Sequence, residues 1–414
     1  LTSVDGHSSW VNSKALSKAG VDRHFPDPQP GFSFFERDPT GEPTGLVKEM
    51  ASDIVRSALV SFDRTFIRQS VEQLQPGFSA LGLTTVYDAG TIGIDEDDAF
   101  GALQDLEGEN KLSLRVIGSH AVAGPGDEEA HISRLREMRA RYNSDQVRAS
   151  VLKIFLDGVP ETHTALLLKP YADRPDYLGQ PNLEPDAFRE MVVEADRAGI
   201  DVHVHAIGEG ATRLVLDAVE AARGANGWRD ARHTSCHVYY VDPEDLPRFR
   251  QLGVIAQTSG EWILWDDFHD LMIERLGAER TGELYRLNTL VNDGATITMG
   301  SDWPASGNIV SYNPLLQVEM AHTRRPPGDR EARILPPQNE RLGLPDAIAA
   351  MSINSARQRR REEKVGTIEA GKLADLIVLE ENLFEVPPHQ IHEIQVLLTM
   401  MDGRIVHQTG PWGG

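Results

Sequence analysis

Short β-rich runs alternate with polar, helix-periodic stretches from about residue 80 onward. The runs are T-T-V-Y-D-A-G (84–90), then 112–120, S-V-L-K-I-F-L-D-G (150–158), I-D-V-H-V-H-A-I-G (200–208), H-T-S-C-H-V-Y-Y-V (233–241), 253–259 and T-I-T-M-G-S-D-W-P (296–304). Amphipathic stretches separate them. Glu184–Arg197 has Pro185 just inside its start, and Ala211–Ala222 carries Leu214, Val215, Ala218 and Val219 at helical spacing. Strands that alternate with helices pair in parallel through right-handed crossovers. The pattern predicts an α/β fold, a (β/α)8 TIM barrel. Seven runs are visible where such a barrel needs eight. The stretch 64–80 reads as a helix leading into the first run, so the expected strand 1 lies upstream of Leu1. Near residue 345 the texture changes. A helical segment ends in R-Q-R-R-R-E-E-K (357–364), read as a solvated helix end, and short strands with Gly turns follow over 365–379 and 394–407. The expected organisation is a barrel over 1–355 and part of a β-sandwich over 356–414.

Composition narrows the partners. The 414 residues hold 41 Lys and Arg against 63 Asp and Glu, a net charge of −22. A field of that sign repels nucleic-acid backbones and anionic lipid. No apolar stretch approaches the roughly 18 residues of a spanning helix. A single cysteine, Cys236, rules out a disulfide framework and a multi-cysteine metal site. The expected partner is a small-molecule substrate, with no nucleic acid and no membrane. A cytoplasmic location and a homodimer are further expectations.

Barrel chemistry sits at the C-terminal ends of the strands. Lys153 interrupts an otherwise apolar run, where a lysine is costly unless paired or modified. It either reaches a carboxylate such as Asp157 or serves the site, carbamylated. His203 and His205 lie two apart on one strand face, a spacing for structural hydrogen bonds or for metal ligation. The same parity pairs His233 with His237 and turns Cys236 the other way, as an inert buried thiol. Asp302, in G-S-D-W-P, is either a turn residue or a carboxylate that ligates metal and takes a proton from water.

These motifs resemble the amidohydrolase superfamily, and within it the amidohydrolase-3 branch that contains YtcJ-like proteins and N-substituted formamide deformylase. The resembling segments are D-G-H-S-S-W-V-N-S-K-A-L (5–16), G-E-P-T-G-L-V-K-E (41–49), L-K-I-F-L-D-G-V-P-E (152–161), V-H-V-H-A-I-G (202–208), H-V-Y-Y-V-D-P-E-D-L-P-R-F (237–249), G-S-D-W-P (300–304) and V-G-T-I-E-A-G-K-L-A-D-L-I-V-L (365–379). The resemblance implies a metal-dependent hydrolase of amide-type C–N bonds. Lys153 is then a carbamylated, metal-bridging lysine. His205 and His237 are ligands of a divalent metal, zinc by default, with one or two per chain. Asp302 is ligand and general base. His7, Trp10, Asn12, His203 and Trp303 are expected near the substrate. The chain departs from the pattern in lacking a strand-1 His-x-His before its first run and in carrying Glu209 where the branch usually has Asp. Two alternatives follow: a non-catalytic homologue that binds a ligand without turnover, and a barrel whose strand 1 is D-V-H-V-H (201–205). The second leaves too few strands before Gly414.

Overall fold

The computed structural model describes residues 1–3, 6–91, 93–305 and 309–410. The N-terminal strands β1 (Ser8–Trp10), β2 (Phe35–Arg37) and β3 (Pro43–Lys48) form an antiparallel sheet in the order β1-β3-β2. The β2–β3 turn is closed by Asp38, whose Oδ1 accepts hydrogen bonds from the Thr40 and Glu42 backbones at 2.8 and 3.0 Å. This is the Asx turn its side chain favours.

The main sheet takes up all seven predicted runs: β4 (Thr85–Asp88), β5 (Arg115–Val122), β6 (Val147–Phe155), β7 (Asp201–Ala206), β8 (Thr234–His237), β9 (Ile255–Thr258) and β10 (Ile297–Met299). Among the described residues they pair in sequence order, all parallel, with β4 and β10 at the two ends. The helices between them include Glu96–Gly108, Glu128–Arg141, Pro185–Arg197 and Glu209–Asn226. Asp95 and Asp127 cap the first two through their side chains. Leu152, Ile154, Val202, Val204 and Ala206 face these helices and pack with Phe188, Met191, Ala195, Val215 and Val219 in one buried cluster. Burial on both faces of a parallel sheet explains the near-continuous apolar runs.

The sheet curls. The rings of Tyr87 on β4 and His203 on β7 meet edge to face with centroids 5.0 Å apart. Those strands are three apart in the sheet, which on a flat sheet means about 14 Å. Their side chains close that gap only if the sheet wraps round its inner face.

The C-terminal strands β11 (Leu376–Leu379), β12 (Val396–Met401) and β13 (Arg404–Gln408) form a second antiparallel sheet. Asp402 and Gly403, with φ of 51° and 75°, make the tight Asp-Gly turn between the last two. This sheet is fastened to the rest by a buried ion pair between Arg115 and Asp375 and by the Thr399 hydroxyl, which donates to Ser79 O at 2.7 Å. The 357–364 cluster is a solvated helix end only in part: Arg357, Arg360, Glu363 and Lys364 are exposed, while other members turn inward. Arg359 lies over the Tyr87 ring, Arg361 is 3% exposed, and Arg360 forks onto Asp201 at 2.8 and 3.1 Å. Aromatic and carbonyl partners let Arg359 and Arg361 turn inward, while Arg360 stays exposed over its carboxylate. No helix among the described residues is long and apolar enough to cross a membrane.

Candidate active site

Register sets the inner face. Lys153 pairs with His203 and Phe155 with His205 across β6 and β7, and His205 pairs with Cys236 across β7 and β8. Paired residues of adjacent parallel strands direct their side chains to one face. Cys236 therefore points inward, contrary to the parity expected from the sequence. Its thiol donates to Gln257 Oε1 at 2.6 Å, and burial pushes it up to about 12. His233 does not share a site with His237: it turns to the helix layer, with Nε2 3.0 Å from Asp196 and Nδ1 accepting from the Val202 backbone at 3.2 Å.

The reason lies in the backbone. His237 ends β8 at φ +84° and Val238 follows at +36°. Left-handed torsions are uncommon for such residues and break the two-residue alternation. His237 swings back until its Nε2 lies 2.9 Å from His205 Nδ1. Its ring stacks on Trp262 with centroids 5.0 Å apart. Burial, then the repulsion of neighbouring His and Lys side chains, holds His203, His205 and His237 well below the usual imidazole range. All three rings are neutral at pH 7, the form that binds metals. His237 Nδ1 and both ring nitrogens of His203 are buried without hydrogen-bond partners among the described residues.

Lys153 is 3% exposed, and its amine sits 4.6 Å from the Phe155 ring centroid. Burial lowers its pKa, with Cys236 and Asp302 pulling the other way. Asp157 does not neutralise it. That carboxyl accepts from the Leu166, Ile207 and Gly208 backbones at 2.9, 3.0 and 2.9 Å, and burial pushes it up to about 7. It staples the loops beyond β6 and β7 instead.

Asp302 follows β10 in a left-handed conformation, φ +54°. Burial raises its carboxyl while the charges of Lys153 and His7 pull it down. His7 arrives from the N-terminal unit, its ring 5.4 Å from that of His205 and its Nδ1 2.6 Å from Glu49 Oε2. The other oxygen of Glu49 accepts from the Thr164 hydroxyl at 2.6 Å. His7, Lys153, His203, His205, His237 and Asp302 are thus brought toward one region by contact or by charge. Two expected substrate residues are not: Trp10 is 69% exposed, and the Asn12 side chain caps helix Ser13–Lys18 by accepting from the Ala15 backbone. Trp303 joins Phe78 and Tyr312 in an aromatic group with centroids 4.8–6.1 Å apart.

Two carboxyls escaped the sequence reading as site residues. Glu49 ends G-E-P-T-G-L-V-K-E, whose resemblance implies no role for it. Glu261, just after β9, is 1% exposed, and neither oxygen finds a partner among the described residues. Burial and then the charge of Asp302 push it up to about 9. Nothing in S-G-E-W marks it, since a glutamate between a glycine and a tryptophan reads as a loop residue. Glu209 is structural: it accepts from the Leu168 backbone at 3.2 Å and lies 3.7 Å from Arg280.

Among the described residues no three His, Cys, Asp or Glu side chains are set together as a metal cage. The donors present still suit a divalent cation: two neutral imidazole nitrogens face each other, with a carboxylate and an amine nearby that repel no metal once the amine is neutral.

The chain belongs to the amidohydrolase family, hydrolases of carbon–nitrogen bonds, whose model matches residues 1–407. It is 30% identical over 407 residues to Protein LONG AFTER FAR-RED 3 of Arabidopsis thaliana, covering 98% of this chain and 68% of that protein. It is 26% identical over 425 residues to N-substituted formamide deformylase of Arthrobacter pascens, covering 97% of this chain and 72% of that protein. An uncharacterized metal-dependent hydrolase from Pyrococcus horikoshii OT3 shares the fold, with a TM-score of 0.69 at 24% identity over 92% of this chain and 71% of that one.

Proposed function

We propose that this chain is a metal-dependent amidohydrolase that cleaves an amide-type C–N bond of a small molecule, with Asp302 as general base. The observation that carries the reading is the imidazole pair: His205 Nδ1 and His237 Nε2, buried and neutral, meet at 2.9 Å at the ends of adjacent strands. Lys153 on the neighbouring strand, buried and lacking a carboxylate partner among the described residues, supports a carbamate. Burial lowers its pKa and so favours the unprotonated amine, the form that adds carbon dioxide and releases a proton to give an anionic oxygen donor. In this reading His205, His237, the Lys153 carbamate and Asp302 hold the cation, zinc by default. When bound, it supplies Lewis acidity, polarising a carbonyl and acidifying water.

The chain's own groups do the rest. Asp302, its carboxyl raised by burial, takes the proton of an attacking water and hands it to the leaving nitrogen. Glu49 fixes His7, which orients the substrate carbonyl side against His205. Trp262 covers the outer face of His237 and keeps water off it. The seven parallel strands are strands 2–8 of a (β/α)8 barrel, with β4 and β10 flanking the place of strand 1. The β11–β13 sheet is part of a β-sandwich, and the division falls near residue 356. The deformylase relative suggests N-substituted amides as the first substrates to try.

A second reading, a homologue that binds without turnover, draws on the absence of a three-carboxylate-or-imidazole cage among the described residues. One experiment separates them. The chain is loaded with zinc and bicarbonate, its metal content measured, and a panel of N-substituted formamides assayed. The hydrolase reading expects bound metal and turnover, loss of activity in Lys153→Ala with partial recovery on adding short carboxylic acids, and a 10²- to 10⁴-fold slower Asp302→Asn that keeps its metal. Metal-free, inactive protein under these conditions leaves the binding reading.

A further inference from the structure

A cavity of about 410 Å³ opens at the far end of helix Pro314–Thr323. That helix starts beside the active site, where Gly260 contacts Gln317, and its last turn lies about 9 Å farther along. None of the candidate site residues lines the cavity. Its walls carry Arg325, Arg330, Arg341, His322 and His389 against a single carboxylate, Asp329.

In a chain of net charge −22, where most arginines lie against an acid, this is an inversion of sign. Arg330 is paired with Glu331 at 3.1 Å, and Asp329 accepts from the Glu331 and Ala332 backbones at 3.0 and 2.9 Å, so the excess charge rests on Arg325 and Arg341. Arg325 donates only through Nε, to Ala332 O at 2.9 Å, and Arg341 only through Nε, to Gln338 O at 3.1 Å. The terminal nitrogens of both have no protein acceptor among the described residues. Thr323 Oγ1, also in the wall, is buried without a partner among the described residues.

The walls are held rigidly. Buried Arg324 donates to the carbonyls of Leu284, Tyr285, Leu335 and Pro336 at 2.8–3.1 Å. Buried Glu319 clasps the Gly328 backbone at 2.9 Å and both the backbone and ring of His392 at 2.9 and 2.7 Å. Two guanidinium ends without a protein acceptor among the described residues, beside a space of small-molecule size, match a tetrahedral oxyanion. The geometry points to a binding site for a small phosphorylated molecule, its phosphate held by Arg325 and Arg341. A nucleic-acid strand is repelled by the rest of the surface.

Inorganic phosphate is the probe. Calorimetric titration and thermal melting of the metal-loaded chain are compared with sodium chloride at equal ionic strength, then repeated on Arg325→Gln/Arg341→Gln. Phosphate heat and stabilisation beyond the chloride control, weakened at least tenfold in the double variant, are expected. The variant also separates this site from phosphate at the metal, which it leaves intact. No phosphate-specific signal in the native chain, or an undiminished one in a double variant with native circular dichroism, overturns the assignment. If the double variant does not fold, Arg341→Gln alone alters an exposed side chain and should weaken phosphate several-fold. Unchanged affinity there overturns the assignment equally.

Discussion

Glu261 is the residue whose behaviour is least ordinary. Its carboxyl is buried beside Asp302, without a hydrogen bond among the described residues, and is pushed up to about 9 from 4.5. Between those values the folded chain keeps a proton that the unfolded chain releases. Its contribution is therefore fully present below about pH 4.5 and is lost as pH rises through 9. In metal-free protein, Glu261→Gln should gain on the parent by up to about 1.4 kcal/mol per pH unit across that window. Urea unfolding at pH 5, 6.5 and 8 in chelator checks this. Parallel pH profiles for the two proteins would mean that Glu261 titrates like a surface acid. Cys236 makes the opposite point: its thiol faces the inner side yet stays protonated, so position alone does not make it a nucleophile.

Beside its apolar packing, helix Pro185–Arg197 is tied to β8 through one carboxylate. Asp196 receives hydrogen bonds from His233 at 3.0 Å, Asn226 at 2.9 Å and Arg229 at 2.6 Å. Burial works against its charge, but the bonds from His233 and Asn226 and the charge of Arg229 hold it below the usual carboxylate range. Asp196→Ala strands the buried His233 imidazole, while Arg229 keeps Asp201 at 3.2 Å and the Ile200 carbonyl at 2.7 Å. The substitution should cost about 3 kcal/mol of stability, read by denaturant unfolding, with kcat changed little once folded. A kcat loss matching that of Asp302→Asn would instead tie this layer to the chemistry. This network also marks where the sequence was legible. Periodicity located the strands and helices: the stretch read as Glu184–Arg197 is the helix Pro185–Arg197, and every predicted run carries a strand. Alternation failed at β8 because the torsions of His237 and Val238 leave no trace in residue type. The arginines of 357–364 read as solvated because their partners, Asp201, Asp145 and Tyr87, lie more than 150 positions away.

Across the molecule, contacts between distant segments decide cohesion. The C-terminal sheet and the main sheet share the Arg115–Asp375 pair, whose side chains are 3% and 6% exposed. Asp375 also accepts from the Asp402 backbone at 2.9 Å, so one carboxylate holds a strand of the main sheet and a turn of the smaller one. Asp375→Ala leaves a buried guanidinium without its counter-charge and should lower unfolding free energy by about 3–5 kcal/mol. Limited proteolysis should then cut the C-terminal strands before the rest. Coincident loss of both parts would show that they unfold as one body whatever joins them. The candidate site follows the same logic: His7, Lys153, His205, His237 and Asp302 span nearly 300 positions, and only the residue types, not their meeting, were readable in order along the chain.

The direction of the His237 ring is written into the main chain and not into a choice of rotamer. An engineer who wishes to redirect this scaffold toward new substrates therefore has freedom in the surrounding loops. Libraries that shuffle residues 236–239 would scramble the aim of the imidazole along with everything else, whereas libraries beyond that short stretch would inherit it unchanged.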